Sequence, residues 1–283
     1  MRIKTLLLTA AALMTATAPA TAHRQWLLPS ATIFSGTDAW VTVDGAASND
    51  LFFPDHQPMR LDTVKAWAPD GTEATIQNGA TGRHRSTFDV KLDREGTWKI
   101  GTAQSGVSGT FKVDGVEWRV GGRRGPPPVG ANAPQPNFVA SVDEIPANAT
   151  DLKLTESASR NEIYVTTGAP TDTVFQPTNK GLEMVPLTHP SELVAGEAAR
   201  FRFLVDGKPA TNLKLSVLPG GKRYRDDDGL MEITTGADGV AQVTWPQAGM
   251  FWLNTSYSDD KPSVARATAR RLSYTTTLEV MAP

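Results

Sequence analysis

The side chains best suited to chemistry in this sequence are its four histidines, His23, His56, His84 and His189; the chain contains no cysteine. His23 follows Ala20-Thr21-Ala22, a small-x-small pattern of the kind cut by signal peptidases. A cut after Ala22 leaves His23 with a free α-amine beside its imidazole. Two nitrogen donors a few bonds apart form a chelate for copper, nickel or zinc. A site built from nitrogen needs two or three such groups to converge. No two histidines stand at i,i+2 or i,i+4, so the fold must assemble any site. His189 precedes Pro190 at the junction of two sequence blocks and is the best second ligand. His84 lies in Arg83-His84-Arg85, whose charges repel a cation and suit an anionic ligand. His56, in Phe53-Pro54-Asp55-His56-Gln57-Pro58, reads as a solvent-facing loop residue. The expected metal group is therefore His23, His189 and His84, with a frayed or docked chain end as the plain alternative for His23.

Other chemistry has little footing. Without cysteine there is no thiolate metal site, CxxC redox pair or cysteine nucleophile. No Gly-x-Ser-x-Gly, P-loop, Rossmann glycine motif or His-Glu-x-x-His is present, so common hydrolase, kinase and dehydrogenase chemistry is not supported. Arg225-Asp226-Asp227-Asp228-Gly229 lacks the spaced ligands of a calcium loop and reads as a solvated hairpin tip. Trp40, Trp67, Trp98, Trp245 and Trp252 fall in strand patterns and read as core. Trp26 and Trp118 lie near irregular segments, where an exposed pair could stack on a sugar.

The elements that must position these residues lie beyond an N-terminal leader. Arg2 and Lys4, the apolar run from Leu6 to Met14 and Ala20-Thr21-Ala22 read as a signal peptide over residues 1–22. The apolar run is short of the ~20 residues of a membrane span. The expected product is an exported, periplasmic or secreted protein that does not span the membrane after cleavage. Removing residues 1–22 from 283 leaves 261 and takes away two positive charges, moving the net charge from −2 to −4. That balance argues against a nucleic-acid partner and offers no polybasic membrane patch.

The remainder reads as all-β. Trp40-Val41-Thr42-Val43, Ser86 to Leu92 and Ala199 to Val205 alternate apolar and polar residues, as half-buried strands do. Turn signals such as Pro69-Asp70-Gly71 and Asp206-Gly207 recur about every ten residues, which predicts β-sandwich architecture. The expected division is an N-terminal sandwich over 23–113, an irregular connecting region with some strands over 114–180, and a C-terminal sandwich over 181–283. Proline and glycine between 121 and 136 exclude a central strand there. Glu95-Gly96-Thr97-Trp98 echoes Ala248-Gly249-Met250-Phe251-Trp252, a glycine turn feeding an aromatic strand in each block.

Gly181 to Pro190, Leu193-Val194-Ala195-Gly196-Glu197, Phe201 to Pro209, and Trp245-Pro246-Gln247-Ala248-Gly249 come in a distinctive order. With the His-x-x-Trp-Leu pattern of His23, Trp26 and Leu27, they resemble the NikM-like family of bacterial exported proteins. That family carries a domain of unknown function, and some members were assigned to the periplasmic side of nickel or cobalt transport. The resemblance implies tandem immunoglobulin-like or prealbumin-like β-sandwich domains. It also implies a binding or accessory role in nickel or cobalt uptake, to which the His23 chelate adds copper as an expected metal. The cargo would be a metal ion or metal complex, and the partner an envelope transporter or outer-membrane receptor. Two rivals stand beside it. One is a non-metal accessory module that binds protein or glycan. The other is a copper oxygenase that holds its metal in a brace formed by the His23 amine and imidazole with a second histidine, and it makes an enzyme the less expected outcome.

Overall fold

A computed structural model describes residues 23–36, 38–121 and 137–283. The leader expected over 1–22 and residues 122–136 of the Pro-rich stretch lie outside the described residues. The strands of the N-terminal half are β1 (Arg24–Pro29), β2 (Ile33–Phe34), β3 (Ala39–Ser48), β4 (Gln57–Pro58), β5 (Val64–Trp67), β6 (Glu73–Ala74), β7 (Gln77–Thr81), β8 (Ser86–Leu92) and β9 (Gly96–Val113). Next come β10 (Val116–Val120), β11 (Phe138–Val139) and β12 (Thr150–Thr167). The C-terminal half adds β13 (Leu182–Pro186), β14 (Ala198–Val205), β15 (Lys208–Pro209), β16 (Lys214–Pro219), β17 (Met231–Thr234), β18 (Val240–Thr244), β19 (Gly249–Asp259) and β20 (Ala269–Val280). Among the described residues the only helical pieces are three-residue 3-10 turns, one of them at Val142–Glu144.

One large sheet runs through the molecule in the order β11-β10-β9-β12-β20-β19-β16-β17. β9 and β12 pair antiparallel from Gly96↔Thr167 to Thr150↔Lys112, and β12 then pairs parallel with β20. A smaller sheet of β1, β3, β8, β7 and β4 covers one face of its N-terminal half; β13, β14, β18 and β15 cover the other face of its C-terminal half. Pleat parity makes this possible, because successive side chains on a strand point to opposite faces. Ile163 and Val165 of β12 join the N-terminal core around Trp98 and Phe88, while Tyr164 between them joins the C-terminal core around Trp245 and Phe201.

The pairing pattern repeats. β3 takes β1, β8 and β4 as neighbours, and β14 takes β13, β18 and β15. β9 joins β5 and β12 as β19 joins β16 and β20. The glycine echo seen in the sequence marks the same place in each half: Gly96 opens β9 at φ 127 and Gly249 opens β19 at φ 132.

One expectation changes. The region 114–180 contains β12, one of the longest strands and the one that joins the two halves. Its run Glu156-Ser157-Ala158-Ser159-Arg160-Asn161-Glu162 is too polar to read as a central strand. It is central because β9 and β20 satisfy its backbone on both sides, which no local pattern reports. β9, its antiparallel neighbour, likewise runs unbroken from Gly96 to Val113.

Candidate functional site

The cleft that carries the site arises from the same parity. Along β9, Trp98 and Ile100 point into the N-terminal core, and Thr102, Gln104 and Gly106 continue on that face. Along β12, Ile163 and Val165 give way to Asn161, Ser159 and Ser157. Where the apolar residues stop, the covering sheet no longer closes on the large one. A cleft of about 1090 Å³ opens there, walled by the ends of β1, β3 and β4 and floored by β9, β12 and β20.

His23 and His56 stand at this cleft. The residue pairs Gln25↔Ala47 and Ala47↔Gln57 place β3 between β1 and β4. The histidines that precede β1 and β4 reach over β3 and stack, with ring centroids 3.6 Å apart and planes 2° from parallel. Both are exposed. His84, in the turn between β7 and β8, adds a 3.2 Å contact between its Nδ1 and the His56 carbonyl oxygen. Of the flanking arginines, Arg85 is paired with Asp44 at 2.9 Å, and Arg83 is exposed.

His189 is elsewhere, which corrects the expected grouping. Its Nε2 lies 3.0 Å from the hydroxyl of Thr97, which in turn lies 3.1 Å from that of Thr166. Thr166 shares the face of Tyr164, so this histidine sits on the C-terminal side of the large sheet. His23 shares its cleft with Gln104, on the opposite face and seven residues, or about 23 Å, further along β9. The Ser191 amide donates to His189 Nδ1 at 3.1 Å, which leaves the proton on Nε2 to donate to Thr97. Phe175 packs edge-on against the ring. Both nitrogens are committed to holding the turn Pro190–Glu192 against β9. His189 is a structural residue at the junction.

Burial holds the His189 imidazole below its ordinary pKa of 6.5. Above about pH 6.5 it is neutral both folded and unfolded. As the pH falls, the unfolded chain takes up its proton first, so stability is lost between 6.5 and the lower folded pKa and then levels off. Urea midpoints should therefore drop from pH 7.5 to pH 5.5, and His189→Gln should flatten that slope; an equal slope in the variant would assign the effect to other groups.

Among the described residues, no three His, Asp or Glu side chains converge as a ready metal cage. Asp226 to Asp228 form a closed hairpin tip whose Arg225 guanidinium donates to the carbonyls of Gly220 (2.6 Å) and Pro219 (3.2 Å). The sugar platform imagined from Trp26 and Trp118 does not form. Trp26 is fully buried and donates to Ser48 at 2.7 Å, and Trp118 packs on Phe111. Trp40, expected in the core, is 39% exposed under the Lys91 ammonium. Sequence reasoning set His56 aside. The only signal for it is three-dimensional, since β3 alone brings positions 23 and 56 together.

No curated protein matches the chain. Among solved structures, the human OSCAR ligand-binding domain is 12% identical, with 92% of this chain and 100% of that one covered at a TM-score of 0.21. An ICAM-5 D1–D4 ectodomain fragment is 11% identical over 92% of this chain and 51% of its own, at a TM-score of 0.21. The D0-D1 domain of intimin is 8% identical over 90% and 97%, at a TM-score of 0.20. Residues 20–259 match a family model described as a domain of unknown function (DUF4198), and the chain belongs to that family.

Proposed function

We propose that this is an exported binding protein that handles a transition-metal ion, nickel, cobalt or copper, at the mouth of the cleft. The observation that carries the reading is the stacking of His23 on His56, from positions far apart in the sequence, with His84 Nδ1 3.2 Å from the His56 carbonyl beside them. Once the leader is removed, the His23 amine and imidazole chelate the ion and the His56 imidazole supplies a further nitrogen. Parallel rings direct their in-plane lone pairs along parallel planes, so one ring turns to complete the set. Exposed side chains make such turns in picoseconds to nanoseconds. The resemblance to the NikM-like family agrees with delivery to an envelope transporter or outer-membrane receptor.

The rival readings have less behind them. A glycan site normally offers an aromatic face, and among the described residues that line the cleft none is Phe, Tyr or Trp. A copper-oxygenase brace would use the same three nitrogens, and it would be favoured over binding alone only by oxygen- and reductant-dependent oxidation of a polymer by the copper-loaded protein.

Calorimetry with nickel and copper on protein that begins at His23 tests the proposal. Retaining Ala22 ahead of His23, or replacing His56 by alanine, should each weaken binding by about tenfold or more, roughly 1.4 kcal/mol. Unchanged affinity in both variants would remove the site.

A further inference from the structure

The cleft is far larger than an ion requires; about 1090 Å³ is the size of a small-molecule site. Its floor is a lattice set by strand register. One row is Gly106, Ser157 and Arg271; the next is Gln104, Ser159 and Ser273. Residues directly paired across a sheet share a face, and rows two residues apart repeat at roughly 6.7 Å. The third row is Thr102, Asn161 and Thr275. There the Asn161 side chain is buried, and both its carboxamide nitrogen and its oxygen lack a hydrogen-bond partner. A buried amide without a partner is destabilising, so native proteins generally give it one. It stands in register with Thr102, which lines the cleft.

Charge narrows the class of occupant. The described lining contains no Asp or Glu but includes Arg60 and Arg271. Arg60 is paired with Asp62 outside the lining. Arg271 is exposed and makes no side-chain hydrogen bond or ion pair among the described residues. Arg83 adds a further cation beside His84. The lining offers a bare dication at His23 and His56 no carboxylate and the unpaired Arg271, since Asp55, next to His56, lies outside it and accepts from the Asn49 amide at 2.9 Å; that is a poor setting for a hard or borderline cation. An anionic complex of the same metal meets arginine, serine hydroxyls and carboxamides suited to carboxylate and hydroxyl oxygens.

We propose that the cleft holds a small hydroxycarboxylate and that the metal reaches His23 and His56 as this anionic chelate rather than as the bare ion. This inference rests on the metal-handling reading above. Arg271 pairs with a carboxylate oxygen of the chelate, Gln104, Ser157, Ser159 and Ser273 bond its remaining oxygens, and the histidines fill coordination positions it leaves open. The ligand stays on the metal and no covalent bond to the protein forms.

Calorimetry on protein that begins at His23, with nickel alone, citrate alone and the preformed nickel–citrate complex, separates the outcomes. The complex should bind about tenfold or more tighter than either component. Arg271→Met should weaken the complex by about tenfold while leaving bare nickel unchanged or slightly tighter. Its thermal unfolding should match that of the parent, because Arg271 holds nothing in place. Bare nickel binding as tightly as the complex, with dependence on His23 and His56, would overturn the chelate and leave the histidine reading standing. Citrate binding as tightly as the complex, with no effect of His23→Ala or His56→Ala, would overturn both. No heat with any of the three would also overturn both.

Discussion

Replacing Glu162 by leucine should lower the free energy of unfolding by about 3 kcal/mol. Glu162 lies in β12 where the two cores meet. Its Oε2 accepts from the Tyr164 hydroxyl at 2.9 Å and the Tyr274 hydroxyl at 3.0 Å, and the two phenol oxygens are 3.0 Å apart. Arg160 and Lys99 stand 3.7 and 4.0 Å from its other oxygen. Burial, reinforced by the nearby carboxylate, raises both tyrosines well above the usual phenol range, so they remain donors across the working pH range. Leucine restores packing but leaves one buried phenol proton without an acceptor and Lys99 without its carboxylate. Arg160 loses less, since it also donates to Thr178 at 3.0 Å and to the Lys180 carbonyl at 3.1 Å. Tyr274→Phe alone should cost about 1 kcal/mol. The double variant should cost less than the sum, with a coupling of about 0.5–3 kcal/mol measured by urea unfolding. Strict additivity would mean that the triad does not act as a unit. Metal binding should be unchanged, because Glu162 and both tyrosines lie on the face opposite the cleft.

Gly109→Ala should lower the free energy of unfolding by about 2–5 kcal/mol. Gly109 has φ 154 in the middle of β9, a conformation that side-chain-bearing residues rarely adopt. A Cβ there would fall inside the contact radius of the Lys153 carbonyl oxygen and 3.0 Å from the Leu154 Cα. Both atoms are backbone of β12, beside the register shift between Thr150 and Lys153. They move only if the ladder between β9 and β12 opens. Gly106→Ala, three residues away, is the control. Its Cβ meets nothing within 4 Å, so stability should change by less than about 1 kcal/mol. Equal midpoints for the two variants in chemical denaturation would refute the steric account.

How much of this was legible beforehand differs between fold and site. Val41 and Val43, Phe88 and Val90, Phe201 and Phe203, and Val240 to Thr244 carry alternation strong enough to place strands and their inward faces. Glycine and Asp-Gly turns marked where strands end. The cleft floor was not legible. Gln104, Gly106, Ser157 and Ser159 are small or polar residues whose shared face is defined only by the register between β9 and β12. The candidate ligands divide the same way. The expectation at His23 rests on the local pattern Ala20-Thr21-Ala22 alone. The place of His56 beside His23 depends on pairing across β3, and the bonds of His189 to Thr97 and Ser191 arise only where the two halves meet.

The sequence by itself therefore determined the all-β class and the inward-facing positions of its alternating strands. Each of these is written in period or turn chemistry. The tertiary structure alone decided that β12 ties both cores into one sheet and that His23 meets His56 instead of His189. It also decided that Gln104, Ser157, Ser159 and Ser273 become the floor of a cleft. Those outcomes depend on strand pairing between residues from about thirty to more than a hundred positions apart, where backbone hydrogen bonding and pleat parity, not local pattern, set which side chains share a face.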